Sequence, residues 1–420
     1  MDLARGNEYP VTAGAPMGSK IGGLKEWACA RVDAERPSLI DLSLRIHGTP
    51  ELSFGEHRAA AWLSEYLEGA GFAVERGAYG LPTAFAARLG SGSPRVAILC
   101  EYDALPAIGH ACGHNIIAAA GAGAAVGLVD LIEESGGSVL VLGTPAEEGG
   151  GGKILMARQG AFDGVDAAMM VHPAGADLPA MHVLALSQVE VEYVGRAAHA
   201  SAFPHRGINA LDALVTAYQG IAQLRQHIRH SERIHGIITN GGQAPNVVPE
   251  RAAGLFCIRA ATEPRLAQLK ERVAACFEAG ALSSGARLNV RTVGEDYADM
   301  STNQPLAAAY TANMERLGRS LMRSAEVSAA VAGSTDMGNV SKLVPAIHPM
   351  VAVSPPAVPL HSAEFAQWAA SNDGHQAVVD GAKALAMTAI DVLCDSAVRT
   401  AVHAAFAADR GCAATPRVHE

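Results

Sequence analysis

Residues 95–128 read "RVAILCEYDALPAIGHACGHNIIAAAGAGAAVGL". The opening "RVAILC" is a nearly continuous apolar run, the signature of a strand buried on both faces. The closing run, Ile116 to Leu128, is rich in Ala and Gly and predicts a helix lying close against a sheet. Between them sit Asp103, His110, Cys112 and His114. This is one strand–loop–helix unit of an α/β sheet, with chemically capable side chains just past the strand's carboxyl end. In open parallel sheets that edge is where ligands bind.

The pattern repeats outward. "TAFAARLG" (83–90), "SVLVLGTPAEEG" (138–149) and "GVDAAMMVHP" (164–173) read as further strands. Residues 25–70 have helical spacing at Trp27, Leu39, Leu42, Ile46, Trp62, Leu63 and Leu67, broken by "GTPELSFGE" at 48–56. Near residue 185 the period changes. "LSQVEVEYVG" (186–195) alternates apolar and polar residues, as a half-exposed strand does. A helix over 207–229, strands at 234–242 and 250–260, a helix over 263–282 and a strand at 286–295 follow. That order is the split βαβ arrangement, a two-layer unit with its own core. The α/β pattern then resumes with a helix near 304–318, "PAIHPMVAVS" (345–354) and a helix over 373–394. The fold class is therefore α/β. A discontinuous domain with a mostly parallel sheet (21–186 and 301–400) carries an inserted α+β unit (187–300) of βαββαβ, ferredoxin-like type. Residues 1–20 read as a mobile polar leader and 401–420 as a tail.

Composition narrows the partners. Of 420 residues, 49% are hydrophobic and 18% charged, as in a compact globular chain. The formal net charge of −10 and the lack of a Lys/Arg run disfavour nucleic acid and anionic membrane. Seven irregularly spaced cysteines argue against a disulfide framework and for a reducing compartment, the cytoplasm. The first twenty residues lack the apolar centre of a signal peptide. The run Ile116–Leu128 is too short and too glycine-rich to span a bilayer.

Further polar residues sit at strand ends: Glu147 and Glu148 after "VLVLGTPA", and His172 after "AAMMV". With Asp103, His110, Cys112 and His114 they can converge on one sheet edge. Cys, His and carboxylates together form a zinc-type donor set, and several carboxylates suit a pair of ions. Two adjacent glutamates point in different directions, so one can bind metal while the other moves a proton. The competing reading is Cys112 as a thiol nucleophile with a histidine base. It leaves the Glu147–Glu148 pair without a role and lacks a surrounding cysteine-protease signature. Co-occurrence at the strand ends favours metal.

Four segments carry a resemblance: "EYDALPAIGHACGHN" (101–115), "GTPAEEGGGGKILMARQGAFDGVDAAMMVHP" (143–173), "GRAAHASAFPHRGINALDAL" (195–214) and "NVVPERAAGLFCIRA" (246–260). Together they resemble the zinc-dependent amidohydrolases of peptidase family M20: aminoacylases, glutamate carboxypeptidases, hippurate hydrolases and auxin-conjugate hydrolases. The match runs from about residue 35 to 395. Glu101, Asn115 and "STDMGNVS" (334–341) are most similar to the p-aminobenzoyl-glutamate hydrolase branch.

The resemblance implies a catalytic domain with an inserted lid and dimerisation domain. It implies two divalent ions per subunit, zinc first and manganese or cobalt as alternatives, held by Cys112, His114, Glu148, His172 and His361. It makes Glu147 the general base and acid, Asp103 the residue orienting a ligand, and His199 a lid histidine that steadies an oxyanion in the partner subunit's site. Asn246 and Arg259 become the groups that hold a substrate carboxylate. Thr335 is placed near the substrate, and His110 is left either supporting a ligand from behind or without a role. The implied reaction is hydrolysis of an amide bond to an amino acid with a free carboxylate, in p-aminobenzoyl-glutamate-like, N-acyl amino acid or dipeptide substrates. The implied assembly is a homodimer through the inserted domain, or a hetero-oligomer with a paralogue.

Overall fold

The computed structural model describes residues 17–322 and 332–413. Helices α1 (Met17–Ala34), α2 (Arg36–His47) and α3 (His57–Gly69) lead into β1 (Ala73–Arg76), β2 (Phe85–Leu89) and β3 (Arg95–Glu101). Then come α4 (His114–Gly127), α5 (Ile132–Ser135), β4 (Ser138–Thr144), α6 (Gly152–Arg158), β5 (Ala167–Met169), β6 (His172–Ala174) and β7 (His182–Val183). The middle of the chain forms β8 (Ala185–Val194), α7 (Ala210–Leu224), β9 (Arg233–Asn240), β10 (Arg251–Ala260), α8 (Glu263–Ser284) and β11 (Arg287–Thr292). The last part holds α9 (Gln304–Arg316), β12 (Ala332–Gly333), α10 (Met337–Ser341), β13 (Ala346–Ile347), β14 (Met350–Ala352), α11 (Ala363–Trp368), α12 (Asn372–Cys394) and α13 (Ser396–Ala413).

The central sheet has the order β1-β2-β4-β3-β5-β13. Its β4–β3, β3–β5 and β5–β13 pairings are parallel, and the β1–β2 and β2–β4 pairings at one side are antiparallel. β3 and β4 are buried along almost their whole length, which explains their unbroken apolar runs. One face packs against α1, α2, α4 and α12, and the other against a smaller core that includes Met156, Phe162, Met337 and Val340. Every residue of α4 is buried. Its glycines permit this: a Cβ at Gly121 would lie 2.7 Å from Cys100 Sγ, and one at Gly123 would lie 2.7 Å from Leu39 Cδ1.

The stretch His114–Ser135 has 22 residues and a mean hydropathy of 1.8, enough by length and composition to cross a membrane. It is instead a core helix, with 89% of its most apolar window buried inside the protein.

The second sheet, order β11-β8-β10-β9, is antiparallel throughout. Helices α7 and α8 cover one face through Leu214, Ile221, Leu266, Val273 and Phe277 around Phe256. The alternation in β8 and β10 is this half-covered sheet.

Two chain ends differ from the sequence reading. Helix α1 starts at Met17, inside the expected leader, whose residues 1–16 lie outside the described residues. Residues 401–413 continue α13 instead of forming a tail: Val402 is buried, and its carbonyl accepts a 2.8 Å bond from Asn303 Nδ2. The apolar positions of α13 find a surface on α9 and α12, which no local signal shows. Residues 414–420 lie outside the described residues.

Candidate active site

β3, β4 and β5 run parallel, so the segments that leave their carboxyl ends meet at one edge of the sheet. Asp103 follows β3, Glu147 and Glu148 follow β4, and His172 follows β5 and opens β6. Gly113, at φ 78°, turns the chain so that His114 starts α4. A Cβ at Gly113 would lie 2.5 Å from Pro173 Cγ, so the loop carrying Cys112 can approach the His172 segment only with glycine there. His361 comes from far along the chain. Its N–H donates to the Ala111 carbonyl at 2.9 Å, and its backbone is left-handed at φ 61°. Ala146, at φ 59°, is also left-handed and immediately precedes the glutamate pair. Such non-glycine strain persists where surrounding contacts over-determine it, often at functional sites.

Two groups of donor atoms share Cys112. Cys112, His114 and His172 offer atoms all within 4.8 Å of one another, and so do Cys112, Glu148 and His361. Cys112 Sγ is 3.4 Å from His172 Nε2 and 3.3 Å from His361 Nε2. His361 Nε2 is 3.4 Å from Glu148 Oε1. The imidazoles are oriented from behind. His114 Nδ1 is 3.0 Å from Asp103 Oδ1, and His172 Nδ1 is 2.8 Å from the Pro173 carbonyl. With Nδ1–H donated backward, Nε2 of each ring presents its lone pair to the cluster. His114 Nε2 is buried with no hydrogen-bond partner among the described residues. No Lys or Arg among them is ion-paired to Glu148. Buried polar atoms left unpartnered, as His114 Nε2 and Glu148 Oε1 are, are costly unless a cation joins them. The donor set fits a soft-to-borderline divalent metal.

The electrostatics separate the two neighbouring glutamates. Burial pushes the Glu147 carboxyl well above the usual carboxylate range, and the charges of Glu101 and Glu148 add to the rise. Burial acts upward on Glu148 too, but His361 and His114 outweigh it and hold that carboxyl below its ordinary value. Asp103 is likewise held low against its burial by the His114 bond. Burial pushes the Cys112 thiol well above its ordinary range, with Glu148 adding to it. A thiol in this setting is a poor nucleophile by itself and becomes a good anionic ligand once a cation is present.

Sequence reasoning passed over a second buried cluster beside the cage. Lys153 Nζ is 2.7 Å from Glu101 Oε1 and 2.6 Å from Asp336 Oδ1, and all three side chains are fully buried. The Lys153 N–H also donates to Asp336 Oδ2 at 2.9 Å. Glu101 Oε2 lies 3.7 Å from His114 Nε2, and Glu101, His114 and Glu147 form a third close group. His348 was also missed. It is buried, its ring lies 5.3 Å from that of His172, and burial lowers its pKa to about 4. Tyr297 Oη–H donates to the Glu147 carbonyl at 2.6 Å. His110 is buried near His47, with its pKa lowered to about 3 by burial, and has no side-chain bond to the cage.

The residues of the second sheet stand apart. His199 and Asn246 are exposed, and their bonds are local: His199 Nδ1 accepts from Ser201 and Ala202, and the Asn246 carbonyl accepts from Ala200 N–H at 3.0 Å. Arg259 donates to Ser334 Oγ at 2.7 Å, two residues from Asp336. Thr335 is buried, and its hydroxyl accepts from the Met337 N–H.

The family model "Peptidase family M20/M25/M40" matches residues 101–389, which span the whole cage. The chain belongs to this family. It is 39% identical over 414 residues to the Xaa-Arg dipeptidase of Mus musculus, an alignment covering 95% of this chain and 96% of that protein. It is 38% identical over 281 residues to one of the subunits of the p-aminobenzoyl-glutamate hydrolase of Escherichia coli K12, covering 62% of this chain and 58% of that one. A solved Bacillus subtilis structure, described as a dinuclear metal binding peptidase of the M20 family, has the same fold. Its TM-score is 0.67 at 20% identity, over 86% of this chain and 99% of that chain. With this family membership and the donor groups of the cage, the protein is a metal-dependent hydrolase acting on amide bonds.

Proposed function

We propose that the chain is a dinuclear dipeptidase that cleaves the amide bond to a C-terminal amino acid. The observation that carries this reading is that two donor groups share Cys112, with Glu147 close to both His114 and Glu101. Cys112, His114 and His172 would hold one divalent ion; Cys112, Glu148 and His361 would hold the other. The dinuclear Bacillus subtilis relative supports the count of two. Zinc is the first choice for a Cys/His/carboxylate set, with manganese or cobalt as alternatives. Such ions polarise a carbonyl and make water acidic enough to lose a proton near neutral pH.

The chain's own residues supply the rest. Glu147 takes the proton of the attacking water and passes it to the leaving amine nitrogen. Asp103 keeps His114 aimed at the cage. Arg259 and Asn246 hold the substrate carboxylate, for which a guanidinium is suited. His199, exposed in its own protomer, steadies the oxyanion in a partner's site. This last role requires a homodimer formed through the unit containing β8–β11, or a hetero-oligomer with a paralogue. The open edge at β9 supports such pairing, because Ile237 and Ile238 are exposed there. We place the enzyme in the cytoplasm, in keeping with the six free thiols among the described cysteines.

A dipeptide leads as substrate because the dipeptidase relative aligns over nearly the whole chain. The p-aminobenzoyl-glutamate hydrolase relative supports an aryl-amide as the second reading. Turnover of Ala-Arg, other dipeptides, N-acetyl amino acids, hippurate and p-aminobenzoyl-glutamate by zinc-, manganese- and cobalt-loaded protein ranks the two. Preference for the aryl-amide overturns the dipeptidase reading. Glu147→Gln is expected to retain metal and lose at least about 100-fold in kcat. Full activity in that variant removes Glu147 as base.

A further inference from the structure

The segment 48–56, which the sequence presents as a break between helices, grips the active-site edge at four points. The Glu51 carbonyl accepts from Ala104 N–H at 2.8 Å, and Leu52 and Ala104 form a parallel bridge. Ser53 Oγ–H donates to Asp103 Oδ2 at 3.1 Å, the same oxygen that accepts from Glu148 N–H at 2.9 Å. Phe54 lies so close to Gly150 that a Cβ there would meet its ring at 2.4 Å. Glu56 is fully buried, and its Oε1 accepts from Ala146 N–H at 2.9 Å.

The last contact has no evident purpose in folding the segment itself. The Glu51 carboxylate already caps α3 by accepting from Arg58 and Ala59 N–H. A second, fully buried carboxylate is expensive to keep. Its target is Ala146, a non-glycine residue in the left-handed region, where L-residues are disfavoured. The next two residues are Glu147 and Glu148. The Ala146 conformation therefore sets the direction in which the chain releases both side chains. Ala146 is held from the other side as well, where its carbonyl accepts from Gly151 N–H at 3.0 Å.

We propose that Glu56 is a positioning residue for amide hydrolysis: it pins the Ala146 peptide so that Glu147 and Glu148 leave the turn in their separate directions. Ser53 is its companion at Asp103. The proposal rests on Glu147 being the base, and the controls separate the two claims. Only the bond acceptor matters, so a neutral amide oxygen at the same reach serves as well as the carboxylate.

The test compares full-length, zinc-loaded Glu56→Gln, Glu56→Asp and Glu56→Leu with wild type and Glu147→Gln. The substrate is the one in the panel above that wild type cleaves fastest. Each variant is also followed by hydrogen exchange of the peptide covering residues 140–152 and by zinc content. Glu56→Leu is expected to lose about 100-fold in kcat with little change in KM, the scale of a misplaced catalytic group. It should keep its zinc, and the 140–152 amides should exchange faster. Glu56→Asp, one methylene short of Ala146, should fold and show the same changes in smaller measure. Glu56→Gln should match wild type in kcat and exchange. The proposal is overturned if Glu56→Asp leaves kcat and the 140–152 exchange unchanged, whether or not the Leu variant folds. It is also overturned if Glu56→Gln loses as much kcat as Glu56→Leu. If Glu147→Gln is fully active, the base assignment fails, and unchanged exchange in the Asp variant still decides against Glu56.

Discussion

Two buried charge clusters lie side by side at the same sheet edge and solve one problem in opposite ways. In the first, Glu101 and Asp336 are bridged by Lys153, a cation the chain itself supplies. In the second, Cys112, His114, Glu148, His172 and His361 bring their donor atoms together, and no Lys or Arg joins them among the described residues. A covalently attached cation makes a fixed wall. A cage whose charge must come from outside can exchange that charge, and chemistry becomes available there. The wall also shapes the cage, because Glu101 faces His114 Nε2 and adds to the raised proton affinity of Glu147.

Lys153→Met leaves two carboxylates buried without a counter-charge and is expected to cost about 3–5 kcal/mol in stability. Denaturant unfolding of the zinc-loaded protein measures this, and a loss under about 1 kcal/mol would show that the triad is not the structural wall described. Asp336 already sits near a pKa of about 6, pushed up by burial and by Glu101 while Lys153 opposes them, so little else holds its charge.

A pH effect comes next. Burial raises the Glu56 carboxyl from its ordinary 4.5 to about 7. Between those values the unfolded chain gives up this proton while the folded chain keeps it. Stability therefore falls as pH rises through the window, by up to about 3 kcal/mol. Glu56→Gln removes the effect, so its stability relative to wild type should climb from pH 4.5 to above 7. A constant difference across that range would mean that Glu56 ionises freely in the fold.

The cage responds more gently when it is touched from behind. Asp103→Asn keeps the size but weakens the hold on His114, and zinc affinity should drop about 10–100-fold with the fold intact. Competition with a chromophoric chelator reads this directly. Smallest of all, Ser53→Ala removes one of the two bonds to Asp103 Oδ2 and should cost about 1 kcal/mol. A larger loss of zinc affinity than in Asp103→Asn would invert the order and place Ser53, not Asp103, as the main support of His114.

Strands β2 to β5 of the main sheet and the four strands of the second sheet could be read from local sequence because burial writes itself into hydrophobic period; the mostly exposed edge strand β1 left no such mark. β3 and β4 are buried on both faces and read as apolar runs; β8 and β10 are buried on one face and alternate. Cys112, His114, Glu148 and His172 were visible because they are polar residues just past strand ends, whereas His361 was reached only through the family resemblance. The wall was not visible. Lys153 follows a glycine run and looks like a surface lysine, and Asp336 looks like a turn residue. Each is explained only by the other, 183 positions away along the chain, and by Glu101 on a different strand. Glu56 and Ser53 were hidden for the same reason: their partners, Ala146 and Asp103, are 90 and 50 positions away.

The sequence by itself determined the α/β class, the βαββαβ order of the middle segment and the chemical type of the cage, because period and residue type are local properties. Only the tertiary structure decided what covers the apolar stretch His114–Ser135, since hydropathy reports the wish to leave water but not the destination. It also decided that one buried cluster carries its own cation and the other is built to receive one. That distinction depends on whether a lysine's four-carbon stem reaches the carboxylates, and reach in space is not written along the chain.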